Sequence, residues 1–112
     1  MRILVSTNDP EGLKRRIISD VEKGDLLTWE IRSNKHGDKL LTHSAEQWED
    51  KVLLRLIPDS ENHRLAIEPR YWSGSAKPSE NDYGTVLGRF CERLFVQYSS
   101  LIGGFTGDVS KQ

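Results

Sequence analysis

Residues 82–102 read DYGTVLGRFCERLFVQYSSLI, and within them Tyr83, Val86, Leu87, Phe90, Cys91, Leu94, Phe95, Tyr98, Leu101 and Ile102 recur at three- and four-residue steps. An α-helix turns once in 3.6 residues, so these side chains share a face and predict one long amphipathic helix from Asp82 to Ile102. At about 1.5 Å per residue it extends roughly 30 Å, the width of a small domain, and the rest of the chain has to pack along it.

The rest is short. A chain of 112 residues with no linker-like stretch between two apolar segments reads as one domain, residues 1–112. Sixteen basic and 17 acidic residues leave a formal net charge of −1, which gives no global attraction to nucleic acid or to an anionic membrane. No apolar run reaches the length of a membrane span, the first residues are too few for a signal peptide, and the single cysteine cannot close an internal disulfide. A reducing cytoplasm is the compartment these features predict.

Upstream of the long helix, the apolar run Ile3-Leu4-Val5 predicts a central strand over residues 2–6, buried on both faces. Asn8-Asp9-Pro10-Glu11 then supplies a capping side chain, a proline at the first helical position and an early acid. A helix follows, with Leu13, Ile17 and Val21 inward and Gly24 ending it. From Leu27 the period becomes two, with Leu27, Trp29 and Ile31 on one side; the turn 34–38 and the return through Leu40-Leu41-Thr42 predict a hairpin. Ser44-Ala45-Glu46-Gln47 has capping-box spacing and predicts one helical turn carrying Trp48. Residues 52–57 and 65–68, joined by a polar turn, predict a second hairpin. Residues 69–79, with Pro69, Gly74 and Pro78, read as an extended loop, and Gly103-Gly104 as a left-handed cap before a frayed end, 106–112. The order β-α-β-β-β-β-α predicts an α+β two-layer sandwich: a mostly antiparallel sheet of four to five strands with two helices on one face.

No catalytic motif is present. The histidines His36, His43 and His63 stand near separate turns without ligand spacing, so neither a metal nor another cofactor is expected. Cys91 lies mid-stripe, where a thiol behaves as a small inert hydrophobe. Gly74-Ser75-Ala76-Lys77 lacks the Lys-Ser/Thr pair and the strand-to-helix junction of a phosphate loop. Glu46, Glu49 and Asp50 cluster beside Trp48 and form either a solvated acidic turn or a site where a perturbed acid transfers protons. Gly84 and Gly88 each cost a helix interior roughly 0.5–1 kcal/mol relative to alanine, so they mark either close approach of a packed element or a groove for a ligand. Arg89 and Arg93 are one turn apart and, with Arg70 and Lys77, either converge on an anion near the helix start or pair with Glu92 and Glu80 on the surface.

The landmarks Asn8-Asp9-Pro10, Thr28-Trp29, Thr42-His43 with Gln47-Trp48, Tyr83-Gly84 and Gly88-Arg89-Phe90 resemble those of a group of small bacterial proteins of unknown activity. The resemblance covers most of the chain up to the long helix and implies a bacterial cytoplasmic origin and a shared fold. The group carries a tyrosine and histidine ahead of Gly-Arg-Phe where this chain has Val86 and Leu87, so no catalytic histidine is carried over.

Absent catalytic motifs and contact-type residues in loops point to a small protein-interaction module of the immunity, antitoxin or adaptor type, its partner another protein. Its anchors would be Trp48 with Glu46, Glu49 and Asp50, or Tyr71-Trp72 with Arg70. Tyr71 and Trp72 fit neither sheet nor helix periodicity, and as neighbours in an extended segment they point opposite ways, Trp72 inward beside Gly84 and Tyr71 outward. The alternative is an enzyme or small-molecule binder using a cleft between loop 69–79 and the helix start, around Lys77, Gly84, Gly88 and Arg89.

Overall fold

The computed structural model describes residues 1–108. Its strands are β1 (Arg2–Ser6), β2 (Trp29–Ser33), β3 (Lys39–His43), β4 (Leu53–Asp59), β5 (Arg64–Arg70) and β6 (Gly104–Asp108); its helices are α1 (Pro10–Glu22) and α2 (Glu80–Gln97). The strands form one antiparallel sheet in the order β2-β3-β4-β5-β1-β6. The α+β class is as expected, but the sheet has six strands among the described residues rather than four to five.

Strand alternation sends Val5, Trp29, Leu41, Leu54, Leu56, Leu65 and Ile67 to one face, where they form a single core with Leu13, Ile17 and Val21 of α1 and Val86, Leu87, Phe90 and Leu94 of α2. Both helices therefore cover the same face. Asp9 caps α1 through Gly12 N–H at 2.9 Å with Pro10 next in line, and Ser79 caps α2 through Asp82 N–H at 3.1 Å. A Cβ on Gly12 would lie 2.1 Å from Asp9 Oδ2, so that glycine makes room for the cap. Gly24 and Gly37 take positive φ as turn residues (+83° and +82°).

Several expectations are corrected. The long helix stops at Gln97, where the chain leaves helical geometry at Tyr98 and a 3-10 turn follows over Ser99–Leu101. The buried Tyr98 hydroxyl donates to Asp20 Oδ2 at 2.6 Å, tying this end to α1. Gly103 and Gly104 are not left-handed; the chain turns back because Gly103 N–H donates to Ser6 O at 2.7 Å, and residues 104–108 pair with β1 instead of fraying. The rest of that expected frayed end, 109–112, lies outside the described residues. Strand β1 is one from the edge, with Val5 buried and Ile3 and Leu4 half-buried, because Leu4 faces the side of the sheet without helices and the edge strand β6 sets Gly107 beside Ile3. Leu27 is 87% exposed in a turn while Leu26 fills the core, so the alternating strand begins at Trp29. The turn carrying Trp48 forms, with Glu49 N–H donating to Ala45 O at 2.8 Å and Val52 N–H to Trp48 O at 3.2 Å, but it does not extend into a helix, and the side chain that accepts a backbone amide at its start is His43, from Ala45 N–H.

No helix among the described residues is long and apolar enough to cross a membrane.

Candidate functional site

The face of the sheet without helices carries the opposite alternation: Arg2, Glu30, Arg32, Leu40, Thr42, Leu53, Arg55, Arg64, Ala66, Glu68 and Arg70. Its five arginines are each held by a carboxylate. Arg2 and Arg70 both contact the buried Glu68, Arg32 reaches Asp50 at 2.8 Å, Arg55 reaches Asp38 at 3.8 Å, and Arg64 reaches Asp59 at 3.0 Å. The exposed pairs among these, such as Arg32–Asp50 and Arg55–Asp38, contribute at most about 1 kcal/mol each, yet together the carboxylates neutralise the face.

Leu40 and Leu53 on that face are 4% and 1% exposed, although no helix covers them. The chain after β5 lies beside them. Tyr71 and Trp72 line a groove of about 350 Å³ with Leu40, Leu53, Arg70 and the β2–β3 turn residues Lys35 and His36. Tyr71 is 41% exposed, Trp72 half-buried, and Lys35 pairs with no carboxylate among the described residues. The structure thus brings Arg70, Tyr71 and Trp72 together, with Tyr71 outward as expected. Trp72 lines this groove together with the β3–β4 leucines and not a space beside Gly84, where an added Cβ would meet nothing within 4 Å.

The cleft expected between loop 69–79 and the helix start exists as a space of about 370 Å³ lined by Met1, Arg2, Glu68, Pro69, Arg70, Lys77, Glu80 and Tyr83. Lys77 is placed there, but Gly84, Gly88 and Arg89 are not. A Cβ at Gly84 or Gly88 would meet nothing within 4 Å, so neither glycine serves close packing, and both are exposed. Within the cleft Glu68 is already engaged by two arginines, and burial is the main cause raising the Tyr83 hydroxyl pKa.

Arg89 and Arg93 belong to a third place. With Thr28, Trp29, His43, Gln47, Trp48, Glu92 and Val96 they line a groove of about 360 Å³ between α2 and the β2 edge. They do not converge with Arg70 and Lys77, since the α2 positions follow the helix away from its start. Here His43 is held edge-on by Trp29 (5.0 Å between centroids) and Trp48 (5.3 Å), and its Nδ1 accepts the Ala45 N–H at 3.0 Å. Burial, then the charge of Arg89, lowers the His43 pKa. Trp48 is half-buried against the core edge, while the acids beside it separate: Asp50 pairs with Arg32, and Glu46 and Glu49 are exposed. Periodicity could not have found this groove, because its residues come from four segments; the aromatic–polar pairs Thr28-Trp29 and Gln47-Trp48 were the only signals.

Cys91 is half-buried rather than fully buried, and burial pushes its thiol up to about 11, consistent with an inert side chain. No group of three or more His, Cys, Asp or Glu able to hold a metal is found among the described residues. Comparison of the chain with known protein families, with curated proteins and with solved structures gives no match.

Proposed function

We propose that this chain is a small protein-interaction module of the bacterial cytoplasm, and that its contact surface is the groove of Tyr71 and Trp72 on the open sheet face. The observation that carries this reading is an apolar floor, Leu40 and Leu53, walled by two aromatic rings on a face no helix covers. Such a groove accepts one apolar side chain of a partner, with tyrosine and tryptophan contributing large contact area at little cost in conformational entropy. Lys35 on the rim favours a carboxylate beside that side chain. Because the arginines of this face are each engaged by carboxylates, the surface suits a protein better than a phosphate backbone. Binding rather than catalysis is the role assigned to it.

Copurification from the native cell tests the proposal. Tyr71→Ala combined with Lys35→Glu is expected to keep thermal stability within about 1 kcal/mol and to lose the partner recovered by the wild-type chain. Arg70 is unsuitable for this test, since removing it strips one of the two guanidinium groups from buried Glu68. Full retention of the partner by the double variant rejects the groove as the contact.

A further inference from the structure

The groove between α2 and the β2 edge has features that neither the core nor the proposed partner surface uses. Arg89 and Arg93 stand one turn apart and exposed along one wall. Arg93 pairs with no carboxylate among the described residues, and Arg89 has only a loose pair with exposed Glu92, at 3.9 Å. Two cations on one wall against a single acid leave an excess of positive charge, and guanidinium groups bind carboxylates through paired hydrogen bonds. The other wall is aromatic and fixed: Trp48 and Trp29 hold the His43 ring edge-on. Because Nδ1 of that ring accepts the Ala45 N–H, the neutral imidazole carries its proton on Nε2, a donor and not an acceptor. Gln47 adds a further polar group to the lining. At about 30 Å³ for each water-sized group, a volume of about 360 Å³ holds roughly a dozen non-hydrogen atoms.

We propose that this groove binds a small organic anion, a planar ring bearing one carboxylate, with the carboxylate on Arg89 and Arg93 and the ring against Trp48. The reading is independent of the Tyr71–Trp72 surface, which lies on the other face of the sheet. It also gives Glu92 a definite part: as the resident partner of Arg89, it competes with the ligand.

The test is a titration of isotope-labelled protein with indole-3-acetate, following the indole N–H resonances of Trp29 and Trp48. Saturable shifts are expected, reaching completion below about 10 mM. Arg89→Gln with Arg93→Gln, whose fold the same spectrum verifies, is expected to weaken binding at least about tenfold, the loss of charge-assisted hydrogen bonds. Glu92→Gln, an exposed change, is expected to tighten it. Tryptamine, the same ring with a cation in place of the carboxylate, is expected to give no saturable shift. The proposal is overturned if indole-3-acetate does not saturate, if tryptamine matches it, if the arginine double variant binds like wild type, or if inorganic phosphate alone binds as well.

Discussion

His43 shows how a single side chain couples packing to pH. Its ring is half-buried between two tryptophans, its Nδ1 takes a backbone hydrogen bond only while unprotonated, and Arg89 lies close enough to oppose a second charge. Each effect disfavours the imidazolium in the folded state, so the folded pKa lies below the unfolded value of about 6.5. Between the two values the unfolded chain binds more protons. The contribution of His43 is therefore present above about pH 6.5 and is lost as pH falls through the folded pKa. Chemical denaturation of wild type and His43→Phe at pH 8 and pH 5 checks this: the stability difference between them should move in favour of the variant at the lower pH. A difference that does not change with pH contradicts the lowered pKa. The two helix glycines give a second residue-scale prediction, opposite to what close packing would require. Since a Cβ at Gly84 or Gly88 meets open space, alanine at either should raise stability by about 0.5–1 kcal/mol, read as a higher denaturation midpoint. Destabilisation by both would mean that a neighbouring side chain fills that space.

At the scale of the element, α2 divides more sharply than its sequence pattern. Phe90 and Leu94 are fully buried, whereas Phe95, in the same three- and four-residue series, is 66% exposed and stacks on Phe105 of β6. Phe90→Ala and Leu94→Ala are expected to cost about 2–5 kcal/mol each by opening cavities, and Phe95→Ala less than about 1 kcal/mol, all measured by denaturant unfolding. Equal losses at the three positions would contradict the burial pattern. The location of both helices, the two hairpins and the Asp9 cap was legible in the sequence because each rests on local signals: a 3.6-residue period, an alternation, a capping side chain beside Pro10. The end of α2 was not. Leu101 and Ile102 continue the helical spacing, yet the backbone leaves helical geometry at Tyr98, whose hydroxyl is held by Asp20, 78 residues away in sequence. Strand β6 was hidden for a similar reason: Phe105 is its one large apolar residue, and its partner β1 lies at the other end of the chain.

For the whole molecule, placing both helices on one face leaves the other face to be explained. The grooves arise where distant segments meet, which is why the sequence could single out Tyr71, Trp72, Arg70 and Trp48 by their chemistry but could not place Arg89, Gly84 and Gly88, which do not line the cleft at the start of α2. Chemistry marked the residues; only topology could sort them into surfaces. The pairing of every arginine on the open face leaves Tyr71, Trp72 and their leucine floor as its principal uncommitted feature. The most direct measurement is photocrosslinking in the native cell with a benzophenone amino acid placed at Tyr71 and, separately, at exposed Phe95. The account predicts a discrete adduct with one partner protein from position 71 and none from position 95. An adduct from position 95 with none from position 71 would contradict it.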